Sequence, residues 1–150
     1  MLIVSPDSHL MIDGKYVWTP ERVRRAWVLA MKELEEALSS GKFQGVTLMM
    51  GAPGAGKSTW LRENGKENRI YFDAVFKNAA SRKPLLEMAA KFGVPLNIVF
   101  LDTPLQVCLD RNAQRSPDRK VPEETLLDMW GCCQNSVRVI PANILQVVRG

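Results

Sequence analysis

The sequence has 150 residues, 46% of them apolar, which is enough for one hydrophobic core and a single domain spanning 1–150. A formal charge of +4 leans toward a polyanionic partner but falls short of the lysine-rich tails of dedicated nucleic-acid binders. Cys108, Cys132 and Cys133 are odd in number and lack C-x-x-C spacing, and no apolar run approaches the roughly 20 residues of a membrane helix, which argues against a disulfide framework, a zinc site and a membrane partner.

Leu2-Ile3-Val4 reads as a buried strand running into Ser5-Pro6-Asp7-Ser8-His9. Open α/β sheets place their ligands at the carboxyl ends of strands. Asp7 therefore stands between two roles: a carboxylate doing chemistry, or, with Ser8, the cap of a following helical turn. His9, the only histidine, reads as a loop residue without a partner. The opening residues lack the basic region of a secretory signal, and with the reduced thiols this predicts a soluble, cytoplasmic chain.

Asp13-Gly14 predicts a turn, and Tyr16-Val17-Trp18 a short apolar link. Thr19-Pro20-Glu21 then opens a helix over 20–40, with a capping hydroxyl, proline in the first turn and an early acid. Its core stripe is Val23, Trp27, Ala30, Met31, Leu34 and Leu38, and Ser39-Ser40-Gly41 ends it. Arg22, Arg24 and Arg25 form either a solvated face or a basic surface for a nucleic-acid strand.

The strand-like run Val46-Thr47-Leu48-Met49-Met50 leads into Gly51-Ala52-Pro53-Gly54-Ala55-Gly56-Lys57-Ser58-Thr59 and then a helix-like segment. This is G-x-x-x-x-G-K-[ST] in its proper strand-to-helix context. A triphosphate needs a concave wall of backbone N–H groups, and glycine permits the close approach and unusual dihedrals that such a wall demands. The motif predicts that residues 51–59 bind ATP or another nucleoside triphosphate. Lys57 would reach the β/γ-phosphates and the Ser58 hydroxyl would ligate Mg²⁺.

Gly65 stops the helix, and Arg69-Ile70-Tyr71-Phe72-Asp73 and Asn97-Ile98-Val99-Phe100-Leu101-Asp102 are strands ending in an acid. Next to a phosphate loop such an acid supports the metal; Asp73 is the assignment, and spacing does not separate it from Asp102. Between them a helix starting near Pro84 carries Leu85, Met88, Ala89 and Phe92 and ends at Gly93. Thr103-Pro104-Leu105-Gln106 reads as a capping box opening a helix with Arg111 and Arg115 on one face. Ser116-Pro117-Asp118-Arg119-Lys120 is a basic, flexible tip. Val121-Pro122-Glu123-Glu124 starts a last helix carrying Leu126, Met129, Trp130 and Cys133, and Ile144 to Val148 is a closing strand.

The phosphate loop, the stretch Phe100-Leu101-Asp102-Thr103-Pro104 to Arg111-Asn112-Ala113-Gln114-Arg115, and Val121-Pro122 to Leu126-Leu127-Asp128-Met129 together resemble the phage polynucleotide 5′-hydroxyl kinase family of P-loop phosphotransferases. The likeness covers 46 to about 134, with 103–134 as the arginine lid and following helix. One departure is large. In that family a strand bearing the catalytic aspartate, followed by a long helix, comes after the phosphate-loop helix, whereas here only Gly65 to Asn68 separates that helix from the next strand. A strand, an acid and a long helix stand instead at 1–45, joined to the loop strand by Gly41-Lys42-Phe43-Gln44-Gly45, so the chain looks circularly permuted.

The resemblance implies a P-loop kinase fold: an α/β domain with a five-stranded parallel sheet in the order 2–5, 69–73, 46–50, 97–101, 144–148, helices on both faces and right-handed crossovers. It implies an ATP- and Mg²⁺-dependent kinase acting on a hydroxyl of DNA or RNA, a 5′-hydroxyl end first, in the cytoplasm, the host's if the chain is phage-encoded. Asp7 becomes the general base, Lys57 the phosphate clamp, Arg111 and Arg115 the lid charges, and Ser58 and Asp73 the metal-side groups. The family's substrate-phosphate arginine, three residues after the base, is Leu10 here, leaving Arg22, Arg24 or Arg25 to substitute. A hydroxymethylated base or a nucleoside-like acceptor is the second reading, and an ATPase that hydrolyses without transfer is the third.

Overall fold

The computed structural model describes residues 1–149. Five strands form one parallel sheet: β1 (Leu2–Val4), β4 (Gly45–Met50), β5 (Arg69–Asp73), β6 (Leu96–Asp102) and β7 (Leu145–Arg149), in the spatial order β1-β5-β4-β6-β7. This is the order expected from the sequence. The remaining two strands, β2 (Met11–Ile12) and β3 (Lys15–Tyr16), make a separate antiparallel hairpin. Asp13 and Gly14, with φ of 49° and 80°, close it as a two-residue turn with both central residues left-handed, the geometry that matches strand twist. The sequence predicts a turn and an apolar link here; the structure pairs the two flanks as a hairpin.

Period-two alternation divides the core between the two faces of the sheet. Val46, Leu48 and Met50 of β4 lie with Ile70, Phe72, Ile98 and Phe100 against one helical layer, while Met49, Tyr71, Val99 and Leu101 face the other. Helix α1 (Pro20–Ser39) covers the first face, and its fully buried line is Ala26, Ala30, Leu34 and Leu38, successive positions four apart. Val23 and Met31, expected on that stripe, flank it half-buried. Trp27 packs on Phe72 at 5.5 Å between ring centroids. Helices α2 (Lys57–Asn64), α4 (Leu105–Ala113) and α5 (Glu123–Ser136) supply Leu61, Cys108 and Leu126 to the second face. All six residues of β4 are buried, as a central parallel strand requires.

Four local expectations are corrected. β1 is an edge strand, not a buried one: Val4 is inaccessible but Ile3 is 47% exposed. Helix α3 (Ala79–Lys91) starts before Pro84, not at it. Pro84 has no N–H to offer the carbonyl four residues earlier. The first turn is instead secured from outside, because Ser81 N donates to Asn78 Oδ1 at 2.9 Å and the buried Arg82 guanidinium donates to the Ser136 hydroxyl and carbonyl. That carbonyl is at the end of α5, where a cation complements the helix dipole. β7 begins at Leu145, one residue later than expected, because Ala142–Ile144 form a short 3₁₀ turn. His9 has a partner, Glu33 of α1, which ties the turn after β1 to the helix behind it.

Among the described residues, no helix is long and apolar enough to cross a membrane.

Candidate active site

The phosphate loop leaves β4 and enters α2 through backbone that only glycine holds easily. Gly54 and Gly56 have φ of 82° and 102°. A Cβ on Gly54 would also stand 3.0 Å from the Cys108 carbonyl oxygen, so glycine is required there for space as well as for conformation. Ala55 N donates to Ala52 O at 3.0 Å and tightens the curve.

Thr103 closes the loop from below. Its hydroxyl is buried and donates to Ala55 O at 2.6 Å, so it does not cap α4 as expected. The helix begins at Leu105 without a side-chain cap, and Trp130 Nε1 donates to Thr103 O at 2.9 Å, fixing the residue from the α5 side. A Thr-Pro-x-Gln sequence fits a capping box, and only the tertiary position of Ala55 reveals the competing acceptor.

Lys57 is folded back into this loop. Its Nζ donates to Gly51 O at 3.0 Å and Ala74 O at 3.3 Å, and pairs with Asp73 Oδ1 at 3.4 Å. Asp73 reaches it because β5 lies beside β4 with Met49 opposite Asp73. Asp102 sits on the other side of β4, where Gln134 Nε2 donates to its Oδ1 at 2.8 Å and Arg149 Nη1 lies 3.4 Å from Oδ2. The two acids that spacing left equivalent are therefore separated by strand order: Asp73 is the acid at the lysine. Asp73→Asn is expected to lower turnover of the bound nucleotide about 10- to 100-fold, the range for a group that orients its neighbours in a reacting site, while Asp102→Asn stays within about 2-fold of the parent. Steady-state kcat/KM for the nucleotide measures both.

Asp7 arrives from the opposite edge. β1 pairs with β5, Val4 opposite Phe72, so the chain leaving β1 passes the end of β5 that carries Asp73. Ser5 caps the following 3₁₀ turn, Pro6–His9, by accepting from Asp7 N at 3.3 Å, and Ser8 Oγ donates back to Ser5 O at 2.8 Å. The capping role considered for Asp7 or Ser8 thus belongs to Ser5. Asp7 is exposed, yet the surrounding protein strips part of its carboxylate's hydration and raises its pKa. Lys57 and Arg115 oppose that rise and Asp73 adds to it, so all three are its electrostatic neighbours.

The lid lies over the loop. Arg111 Nη1 donates to Gly54 O at 2.9 Å. Arg115 falls just beyond the end of α4, so the two arginines do not share one helix face as expected; Arg115 N instead bonds to Asn112 O at 3.1 Å in the turn. Asn112 closes this segment by pairing both ways with the Val121 backbone, at 2.7 and 3.0 Å. The tip expected to be flexible is tied down. Asp118 Oδ2 accepts from Tyr16 N at 3.1 Å, Asp118 O accepts from Trp18 Nε1 at 3.3 Å, and Arg119 lies over the Tyr16 ring at 4.7 Å. The Tyr16 amide holds the Asp118 carboxyl below its ordinary value.

Residues 64–134 match the family described as AAA domain (AAA_33), just under half of the chain. The fold is P-loop kinase-like. The match takes in Asp73, Arg111 and Arg115 and begins behind the phosphate loop. No curated protein matches the chain. The match, the Gly51–Thr59 loop and the parallel sheet together support a P-loop nucleotide-binding kinase or ATPase.

Ser58, exposed at the start of α2, and Asp73 offer hard oxygen donors that suit magnesium, an ion commonly bound through one or two protein groups plus phosphate oxygens and water. Among the described residues there is no cluster of three or more acidic, histidine or cysteine ligands that would make a cage by itself.

Proposed function

We propose that this protein is an ATP-dependent kinase that transfers the γ-phosphate to a hydroxyl of a nucleic acid, a polynucleotide 5′-hydroxyl end. The observation that carries the reading is the position of Asp7, just after the edge strand that pairs with β5, the strand whose last residue, Asp73, pairs with Lys57. Nucleotide binding needs the loop alone; a carboxylate of raised pKa beside the strand that carries Asp73 supplies what transfer to a hydroxyl needs beyond binding.

In this mechanism the loop amides of residues 51–59 cradle the phosphates, and Lys57 exchanges its contacts with Gly51 O and Ala74 O for the β/γ-phosphate oxygens. Asp7 accepts the proton from the acceptor hydroxyl as its oxygen attacks the γ-phosphorus in line. The bond to the β,γ-bridging oxygen breaks, and that oxygen leaves with the nucleoside diphosphate. Arg111 and Arg115 balance charge on the transferred group and the leaving oxygen. Magnesium, held by Ser58 and Asp73 when bound, supplies neutralisation of the phosphate oxygens.

The circular permutation belongs to the same proposal. It is supported by β1 lying beside β5 in the sheet although 1–45 precedes the phosphate loop, and by a family match that begins only behind that loop.

One observation favours a second acceptor. Leu10, which stands where the resembled family has its substrate-phosphate arginine, is 1% exposed and belongs to the core, so the position offers no cation. A hydroxymethylated base within DNA or a nucleoside-like hydroxyl would need none. Labelled γ-phosphate transfer to a 5′-hydroxyl oligonucleotide, a hydroxymethylated duplex and a free nucleoside separates these. Labelling of the oligonucleotide end is expected. Nucleotide turnover independent of every acceptor, with no phosphorylated product, would overturn the kinase reading in favour of an ATPase.

A further inference from the structure

We propose that the β2–β3 hairpin is the stacking platform for the acceptor, with the Trp18 indole receiving a base of a single-stranded nucleic-acid end; this rests on the kinase reading above.

The hairpin grows directly out of the turn that holds Asp7. Leu10 N donates to Asp7 O at 3.1 Å, and Val17 N donates to Leu10 O at 2.8 Å, so the root of the hairpin and the residue carrying the carboxylate share backbone bonds. Arg22 Nε donates to Val17 O at 3.1 Å and pins the returning strand to α1. The far side is pinned to the lid through Asp118, three residues after Arg115. A segment of two-residue strands is thus fixed to α1 on one side and to the lid tip on the other.

Such a hairpin gains little by folding around its own side chains. Met11, Ile12 and Trp18 remain 40, 43 and 47% exposed. Tyr16 and Trp18 stack with centroids 6.2 Å apart and ring planes at 27°, and Arg119 adds its guanidinium to the same cluster. A pre-stacked aromatic pair with an arginine beside it and one indole nearly half open is suited to another flat, polarizable ring.

Charge points to the same partner. Residues 10–25 carry Lys15, Arg22, Arg24 and Arg25 against Asp13 and Glu21, with Arg119 and Lys120 adjoining from the lid tip; Asp118 there is engaged by the Tyr16 amide. Arg24 and Arg25 are exposed in the first turns of α1, which opens two residues after Trp18. Aromatic surface bordered by cations is the chemistry of single-stranded nucleic acid, where stacking holds bases of any sequence and cations follow the backbone. The platform also resolves the loss of the arginine at Leu10: the strand is gripped through a base and through α1, not through a phosphate next to the catalytic carboxylate.

The test is binding of a fluorescently labelled, 5′-hydroxyl, single-stranded oligonucleotide to Trp18→Ala, Trp18→Leu and Trp18→Phe variants, followed by anisotropy, with thermal unfolding as a control. Stacking predicts a Kd raised about 5- to 150-fold in Trp18→Ala and in Trp18→Leu, which keeps apolar bulk without a π face. Trp18→Phe, which lacks the N–H that bonds Asp118 O, is expected to restore most of the affinity and so separates stacking from the latch. In an Arg24→Ala, Arg25→Ala double variant, affinity should fall and the salt dependence should flatten. Trp18→Ala binding like the parent, or Trp18→Leu matching Trp18→Phe, would overturn the platform. Phosphate transfer by the parent protein is scored separately, so loss of that activity would count against the kinase reading while a Trp18-dependent affinity still upheld the platform.

Discussion

Replacing Asp7 with asparagine is expected to lower phosphate transfer by about 10²–10⁴-fold, the usual contribution of a positioned base, without weakening nucleotide binding. Asparagine keeps the shape and leaves the backbone bonds of the Ser5 cap in place, so the loss isolates the proton-accepting role. The pH dependence follows from the carboxyl's surroundings. Partial loss of hydration raises its pKa above the ordinary 3.8, so kcat/KM of the parent should climb with pH across a limb lying above 3.8, and this limb should vanish in the residual activity of the variant.

Stability should move in the opposite direction. A carboxyl whose pKa is raised in the folded state binds its proton more tightly there than in the unfolded chain. Its ionisation therefore opposes folding at neutral pH, and this penalty shrinks as pH falls through the raised pKa toward 3.8. Asp7→Asn is accordingly expected to melt no lower than the parent at neutral pH, with the difference closing in acid. A variant that lost activity and also melted lower at neutral pH would mark Asp7 as a structural residue.

How much of this site the sequence discloses depends on the range of the interactions involved. The sheet order was legible because each strand is an apolar run closed by a turn signal, and the resemblance supplied the arrangement. The phosphate loop was legible residue by residue, because its constraint is local: glycine where φ is positive and a lysine one position later. Long-range pairings were not legible. Thr103 fits a helix cap until the fold brings Ala55 O within 2.6 Å. Pro84 argues for a helix start until Arg82 finds Ser136 across 54 residues and secures the turn before it. Asp13-Gly14 is a strong local signal for the hairpin, but the hairpin's anchorage on Asp118 spans 102 residues and leaves no trace in either segment. Asp73 and Asp102 look alike because each ends an apolar strand. Only the order β5-β4-β6 puts one beside Lys57 and leaves the other to Gln134 and Arg149.

Lys57 connects the two halves of the mouth, and its removal should therefore do two separable things. In Lys57→Met the phosphates lose their direct cation, and transfer is expected to fall at least about 10²–10³-fold, as when one preorganised electrostatic contact is removed from a reaction centre. The second effect reaches Asp7. After the loss of hydration, Lys57 is the largest influence on that carboxyl and lowers its pKa; Asp73 raises it and Arg115 lowers it by less than Lys57 does. With the ammonium gone, and Asp73 freed from its 3.4 Å ion pair, both changes favour the protonated form of Asp7. The acid limb of the residual kcat/KM should then shift to higher pH than in the parent. Lys57→Arg distinguishes the causes: its charge should return the limb toward its original position, whereas a planar fork in a loop shaped around a compact ammonium should leave kcat low. A limb that stays in place in Lys57→Met would mean that Asp7 and Lys57 do not share a mouth, and the general base would have to be sought elsewhere.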